Sequence, residues 1–243
     1  RWWDISFADR SQASEAELGE ELTDRMRAAV RSRMVSDVPL GAFLSGGGDS
    51  SSVVALMSEA SEEPVRTCSI GFDVKAVDET GYAERVAQQF GTDHMARTVS
   101  QNDFEAVDAL AAMFDEPFAD ASALPTWRVC QLARERVTVA LSGDGADEAF
   151  AGYRRQVFHH NEARIRGMLP RGLAATTADQ RARLYSESFA RDLAGWRAED
   201  EFIAIMRGAP ARSGLDRAQY ADLTFWLPGD ILTKVDRTSM AVS

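Results

Sequence analysis

Four short strand-like runs alternate with helical patterns along the first 141 residues, and that alternation limits the fold more than any other feature of the chain. The runs are Val38 to Leu44, Val65 to Ile70, His94 to Val99 and Val137 to Leu141. Between them lie stretches of helix formers. Ser51 to Ala60 is one; Asp78 caps a second that reaches Phe90 and stops at Gly91. Asn102 to Phe114, with Asn102 and Glu105 as its cap, and Pro125 to Arg136 are the others. A further helix over residues 14–35 comes first. Its Leu18, Leu22, Met26, Val30 and Met34 recur every fourth residue, and Ser14 with Glu17 has capping-box spacing. Strands separated by helices predict an α/β fold, an open parallel sheet with helices on both faces. From about residue 153 onward the pattern is helical with no convincing strand, broken at Pro170, Gly195, Pro210 and Pro228. Lys234 to Ser243 read as the middle of a helix with no stop signal, so the chain looks cut there.

The 243 residues carry 27 basic and 38 acidic side chains, a net charge of −11. Such a field repels nucleic-acid backbones, and no compact basic patch offsets it. No run of about 18 apolar residues is present to span a membrane, and the first residues lack the basic and apolar regions of a signal peptide. Cys68 and Cys130 lie far apart without metal-ligand spacing, so two buried thiols in a reducing, cytoplasmic setting are expected.

The chemistry sits in two glycine loops. Ser45-Gly-Gly-Gly-Asp-Ser50 joins a strand to a helix start, at the sheet edge where parallel sheets present ligands. Glycines admit an anion close to the backbone, and the helix N-terminus offers free N–H groups. The lysine of a Walker loop is missing, and Asp49 stands in the cradle instead. An acid beside a phosphate calls for a divalent cation between them, hence Mg²⁺; the bland alternative is a flexible turn with Asp49 as a helix cap. The second loop, Ser142-Gly-Asp-Gly-Ala-Asp-Glu148, also follows an apolar strand and brings Asp144, Asp147 and Glu148. Two acids from different strand ends suit one Mg²⁺ held against a polyphosphate.

Ser45 to Ser50 resembles the S-G-G-x-D-S pyrophosphate loop of the N-type ATP pyrophosphatases. Ser36 to Leu44, Asp115-Glu-Pro-Phe-Ala-Asp120, Leu141 to Glu148 with Gly152-Tyr153, and Lys234-Val-Asp-Arg237 with Ser239-Met-Ala241 narrow the likeness. Together they resemble the synthetase domain of glutamine-hydrolysing asparagine synthetases over nearly the whole chain. The resemblance implies one domain over residues 1–243, with an adenine nucleotide α hydrolase-like fold and a helical C-terminal part. It also implies ATP and Mg²⁺, aspartate as acceptor, and ammonia released from glutamine by a glutaminase domain. That domain normally precedes the Trp-Asp segment with which this chain starts, and a homodimer is compatible with the pattern.

By position, the resemblance puts Leu44, Ser45, Gly46, Gly47, Asp49 and Ser50 on the pyrophosphate end of the nucleotide, and Asp49 with Asp147 on Mg²⁺. Ser69, Ile70, Ser142 and Gly143 frame the adenine and ribose. Asp144 and Glu148 line the acyl-adenylate pocket, with Tyr153 as a catalytic or a core aromatic residue. The family's catalytic lysine belongs to a later segment, so Lys234 is not given that role, and Gly48 replaces a commonly larger apolar residue. Relatives of this domain close β-lactam rings, cyclise peptides or amidate sugar acids, and a non-catalytic interaction domain is a further alternative. His94 at a strand start reads as a structural polar contact. His159 and His160 with Glu162 read as a solvated helix face or a weak metal cluster, and Trp2-Trp3 as packing or docking residues.

Overall fold

Strand-like runs separated by helices predict a parallel sheet, and the computed structural model of the chain has one. Described here are residues 4–73, 78–100, 105–156 and 178–243. The strands are β1 (Leu40–Phe43), β2 (Arg66–Phe72), β3 (Asp93–Val99) and β4 (Val139–Leu141). All pairs are parallel, in the order β3-β2-β1-β4. The accompanying helices are α1 (Glu15–Arg33), α2 (Gly48–Ala60), α3 (Thr80–Phe90), α4 (Glu105–Met113) and α5 (Ala123–Arg134). After β3 the chain crosses to the far side of β1 before forming β4. The loops that follow β1 and β4 therefore leave neighbouring strands at a topological switch point, where open α/β sheets place ligands.

The chain divides into two compact units. The sheet unit comprises Gln12–Asp144 and Asp230–Ser243, the helical unit Arg1–Ser11 and Gly145–Gly229. Strand alternation sorts the core of the sheet unit. Ala42 and Leu44 pack with Val30, Val54, Met57, Ala83 and Ala87 from α1, α2 and α3 on one face. Phe43, Cys68 and Ile70 pack with Leu132, Ala133 and Val137 on the other. Both cysteines are buried and free, as expected.

Local signals set most element ends. Ser14 and Glu17 form the reciprocal capping box of α1, and Gly91 closes α3 with a left-handed φ of 63°. Of the apolar stripe on α1 only Val30 is buried, while Leu18 and Leu22 stay exposed. The C-terminal half of the helix packs on the core, and an Arg27–Glu59 ion pair ties it to α2. The helix expected from Ser51 begins at Gly48, so Asp49 and Ser50 occupy its first turn. Asp78 does not occupy the cap position of α3, which falls to Glu79, but its carboxylate still accepts the Thr80 N–H.

The helical unit holds α6 (Ala146–Phe150), α7 (Ala178–Leu184), α8 (Glu187–Asp192), α9 (Ala198–Gly208) and α10 (Gly214–Ala221). A π-helical segment, Asp222–Ile231, runs on from α10 and leads into α11 (Leu232–Met240), which belongs to the sheet unit. Gly195 and Pro210 lie between helices as expected, but Pro228 lies inside the π-helical segment and does not end it. A proline is tolerated where the i→i−4 register has already been given up. The only extended pairing found after residue 153 among the described residues is one bridge, Phe7 to Ala211. α11 ends at Met240. Among the described residues no helix is long and apolar enough to cross a membrane. Trp2-Trp3, Asn102, His159, His160, Glu162 and Pro170 lie outside the described residues.

Candidate nucleotide site

The first loop is shaped by hydroxyls and by one obligatory glycine. The Leu44 N–H donates to the Cys68 carbonyl at 2.9 Å, extending the β1–β2 pairing by a residue before the chain turns. Gly46 has φ +80°, and a Cβ there would come within 2.5 Å of the Tyr82 backbone. Both strain and space exclude a side chain. The Ser50 hydroxyl accepts the Ser45 N–H at 3.2 Å and lies 3.0 Å from the Ser45 hydroxyl, which in turn accepts the Gly47 N–H at 3.3 Å. Ser50 is thereby buried as a former of the turn, while Ser45 and Asp49 remain exposed.

Gly47 caps α2 without any side-chain hydrogen bond, and the first backbone bond of the helix runs from Ser51 N to Gly47 O. The amides of the opening turn face outward at the positive end of a 13-residue helix. Asp49 sits in the same turn, so it does not cap the helix. The free N–H groups of such a turn can take an anion, and one exposed carboxylate stands beside them.

The second loop rests on the first. A Cβ on Gly143 would lie 2.9 Å from the Ser50 nitrogen and 3.0 Å from the Asp49 Cβ. Only glycine lets the Ser142–Gly143 backbone lie against the opening turn of α2. The Ser142 hydroxyl accepts the Asp144 N–H at 3.3 Å, and the Asp144 carboxylate is exposed. Leu44, Ser45, Gly46, Gly47, Asp49, Ser50, Ser142, Gly143 and Asp144 thus belong to two adjoining loops of the sheet unit.

Ser69 and Ile70 lie three and two residues short of the end of β2 at Phe72. The Ser69 hydroxyl is 3.1 Å from His94 Nε2, and Ile70 packs in the core beside α5. His94 Nδ1 lies 2.9 Å from the Thr67 hydroxyl, which meets Thr92 at 2.9 Å. His94 is therefore the structural polar contact expected. Burial is the main influence on it and holds its pKa below the usual histidine value.

Asp147, Glu148 and Tyr153 belong to the helical unit. Asp147 and Glu148 open α6. Glu148 is completely buried; its Oε1 accepts the Tyr153 hydroxyl at 2.5 Å, and its Oε2 has no hydrogen-bond partner. Burial, then that bond and the Glu148 charge, push the Tyr153 phenol well above its ordinary value. A Cβ on Gly152 would strike the Asp147 carboxylate, which would have to move aside.

Sequence reasoning missed two pairings in the sheet unit. The buried Lys234 ammonium donates to Asp120 Oδ2 at 2.9 Å and to the Ser122 hydroxyl at 2.7 Å. One turn further along α11, Arg237 pairs with Asp115. The acidic motif before α5 and the basic motif on α11 are thus two halves of one contact. Their opposite charges were the available signal.

Among the described residues no three His, Cys, Asp or Glu side chains cluster as a metal cage. Mg²⁺ needs no such cage, because one or two carboxylates suffice when phosphate oxygens and water fill the remaining positions. The exposed Asp49 carboxylate beside outward-facing amides fits that use.

Comparison with known proteins identifies the family. The family profile described as asparagine synthase matches residues 21–243. The chain belongs to the asparagine synthase family. An asparagine synthetase [glutamine-hydrolyzing] 1 from Bacillus subtilis is 30% identical over 264 residues, covering 96% of this chain and 42% of the relative. A Methanocaldococcus jannaschii protein, provisionally named asparagine synthetase [glutamine-hydrolyzing] 2, is 50% identical over 127 residues, or 51% of this chain and 24% of the relative. A Penicillium rubens protein named amidase chyE is 28% identical over 178 residues, or 63% of this chain and 25% of the relative. The chain spans less than half the length of these relatives and corresponds to the synthetase part of the asparagine synthase family.

Proposed function

We propose that the chain is the synthetase half of an ATP-dependent, amide-forming ligase acting on the side-chain carboxylate of aspartate. The observation that carries this reading is the uncapped opening turn of α2, wrapped by the Ser45–Ser50 turn and touched by Gly143. Outward-facing amides there suit the pyrophosphate end of ATP, and family membership supplies the reaction class. A carboxylate oxygen attacks the α-phosphorus and pyrophosphate leaves, giving an acyl-adenylate. Ammonia then attacks the acyl carbon, AMP departs with the C–O electron pair, and the nitrogen loses a proton to give asparagine.

Ser45 and the α2 amides bind and orient the departing phosphates, which is catalysis by placement and by fixed dipoles. Mg²⁺ would neutralise charge between Asp49 and the phosphates. Asp147 is assigned to the same ion on its place in the Ser142–Glu148 motif alone. Asp144 and Glu148 are assigned to the acyl-adenylate pocket on the same ground. With Glu148 Oε1 taken by Tyr153, Oε2 is the atom left to accept a proton. The full protein draws ammonia from glutamine through a glutaminase domain in this reading, and its free thiols suit the cytoplasm. Ser69 acts through its backbone in this reading, since its hydroxyl is held by His94.

Calorimetry of ATP binding with and without Mg²⁺ tests the reading. Mg²⁺-dependent binding that weakens at least tenfold in Asp49→Asn and in Asp147→Asn supports it; a folded parent chain with no Mg²⁺-dependent binding overturns it. A panel of acids, scored by acid-dependent pyrophosphate release from the full-length protein, separates aspartate from the substrate of an amidase-like relative.

A further inference from the structure

The helical unit contains a second set of buried polar contacts that no nucleotide role explains. At the junction of α10 with the π-helical segment, Gln219 and Asp222 stand three residues apart, on one helix face. Both are buried, Asp222 to 1% exposure. The Gln219 amide donates to the Ala149 carbonyl at 3.0 Å, at the end of α6. Asp222 accepts from two consecutive residues, Arg155 Nη2 at 2.9 Å and Gln156 Nε2 at 2.7 Å. Each of those residues then touches Tyr153. The Arg155 guanidinium lies 3.8 Å above the Tyr153 ring, and Gln156 Oε1 accepts the Tyr153 N–H at 2.9 Å. Tyr153 in turn holds Glu148 by its hydroxyl.

A carboxylate in this setting has a specific use. Arg155 and Gln156 both present donors to it, so neither can swing away without leaving a buried charge short of a partner. Arg155 fixes the plane of the Tyr153 ring and Gln156 fixes its backbone. With ring and backbone both fixed, the phenol oxygen reaches Glu148 Oε1 in one orientation, and that orientation decides where Glu148 Oε2 points. The π-helical widening starts at Asp222 itself, and such widenings are frequent at functional sites.

We propose that Asp222 is a positioning residue that acts through Arg155 and Gln156 on the Tyr153–Glu148 pair, setting the direction of the free Glu148 oxygen. This rests on the ligase reading above for its chemical consequence, though not for the contact network itself. Asp222 touches no substrate in this scheme. Its loss slows the step that uses Glu148 and leaves nucleotide affinity unchanged, because the α2 cradle is built by other residues.

The test uses Asp222→Asn and the exchange variant Asp222→Asn/Gln156→Glu in the full-length protein. Asn keeps the shape but sets its NH₂ against one of two donors, whereas the exchange variant returns an acceptor opposite that NH₂. Hydrogen exchange followed by mass spectrometry reads the network without any catalysis. Peptides spanning Gly145–Gln156 exchange faster in Asp222→Asn and return toward the parent in the exchange variant, while those spanning Ser45–Ser50 stay as in the parent. Steady-state kinetics give kcat for amide formation reduced at least tenfold in Asp222→Asn, with KM for ATP within twofold of the parent and partial recovery in the exchange variant. Unchanged exchange over Gly145–Gln156, or kcat equal to the parent in a folded Asp222→Asn protein, overturns the proposal. So does a parallel fall in ATP affinity. If Asp222→Asn does not fold, the exchange variant decides: a folded protein with recovered kcat supports the role, and a folded protein without recovery overturns it. A parent that forms no amide from any acid fails the ligase reading alone, because the exchange measurement still judges the network.

Discussion

Removing either partner of the Lys234–Asp120 pair should destabilise the sheet unit by unequal amounts, and burial sets the order. The Lys234 side chain is 6% exposed and that of Asp120 19%. Lys234→Met keeps the buried stem and deletes the charge. Asp120 is left partly wet, with the Ser122 N–H and O–H still bonded to it at 2.8 Å. A lost charged hydrogen bond of this kind costs about 2 kcal/mol. Asp120→Asn instead leaves the buried ammonium ion without its carboxylate partner, and breaking a buried pair in that way costs about 3–4 kcal/mol. At roughly 3 °C per kcal/mol for a chain of this size, the midpoints fall by roughly 6 °C and 10 °C. The double variant leaves no unpaired charge and should lose much less than the sum, about 2–3 kcal/mol in all. Urea unfolding followed by circular dichroism, with the slope checked for constancy, measures all three. Equal losses, a larger loss in Lys234→Met, or additivity within about 0.5 kcal/mol would refute the reasoning. The pair also has a pH signature. Burial works to raise the Asp120 carboxyl, but the Ser122 N–H and Lys234 outweigh it and hold it below its ordinary value. Its contribution is therefore complete above the unfolded value of about 4 and is lost as pH falls through the lower folded value; Asp120→Asn should lack that part of the acid transition.

Two other outcomes follow from particular contacts. Gly143→Ala places a methyl 2.9 Å from the Ser50 nitrogen; overpacking against backbone costs about 1–3 kcal/mol, and calorimetry should show ATP affinity reduced at least tenfold, with parent-like affinity counting against the two-loop cradle. Burial lowers the pKa of His94, so below the unfolded value of about 6.5 the unfolded chain takes up the proton first and stability falls with pH. His94→Gln should flatten unfolding midpoints between pH 7 and the folded value, and an unchanged slope there would show that His94 does not contribute to it.

Much of the sheet unit was legible in the residues. Strand runs bounded by turn residues, the Ser14–Glu17 box and the Gly91 stop all act within a few positions, so a local window contains their cause. The glycine loops were legible for the same reason, since each sits at the junction of one strand and one helix. Element ends were less so. The start of α2 moved to Gly48 because the Ser45–Ser50 turn satisfies its own hydroxyls and frees Asp49 to join the helix. The Ser69 hydroxyl contact was not legible, because its partner, His94, comes from the next strand.

From the sequence alone came the alternation that makes a parallel sheet, the two loops that follow β1 and β4, and the acids they carry. Tertiary structure decided which distant groups meet. It set Gly143 against Ser50, Lys234 against Asp120, and Asp222 beneath Arg155 and Gln156. Pairs separated by 66 to 114 residues have no shared period. Folding alone makes them neighbours, and burial then makes each contact worth keeping, because a charge removed from water must be met by another group or the structure is lost.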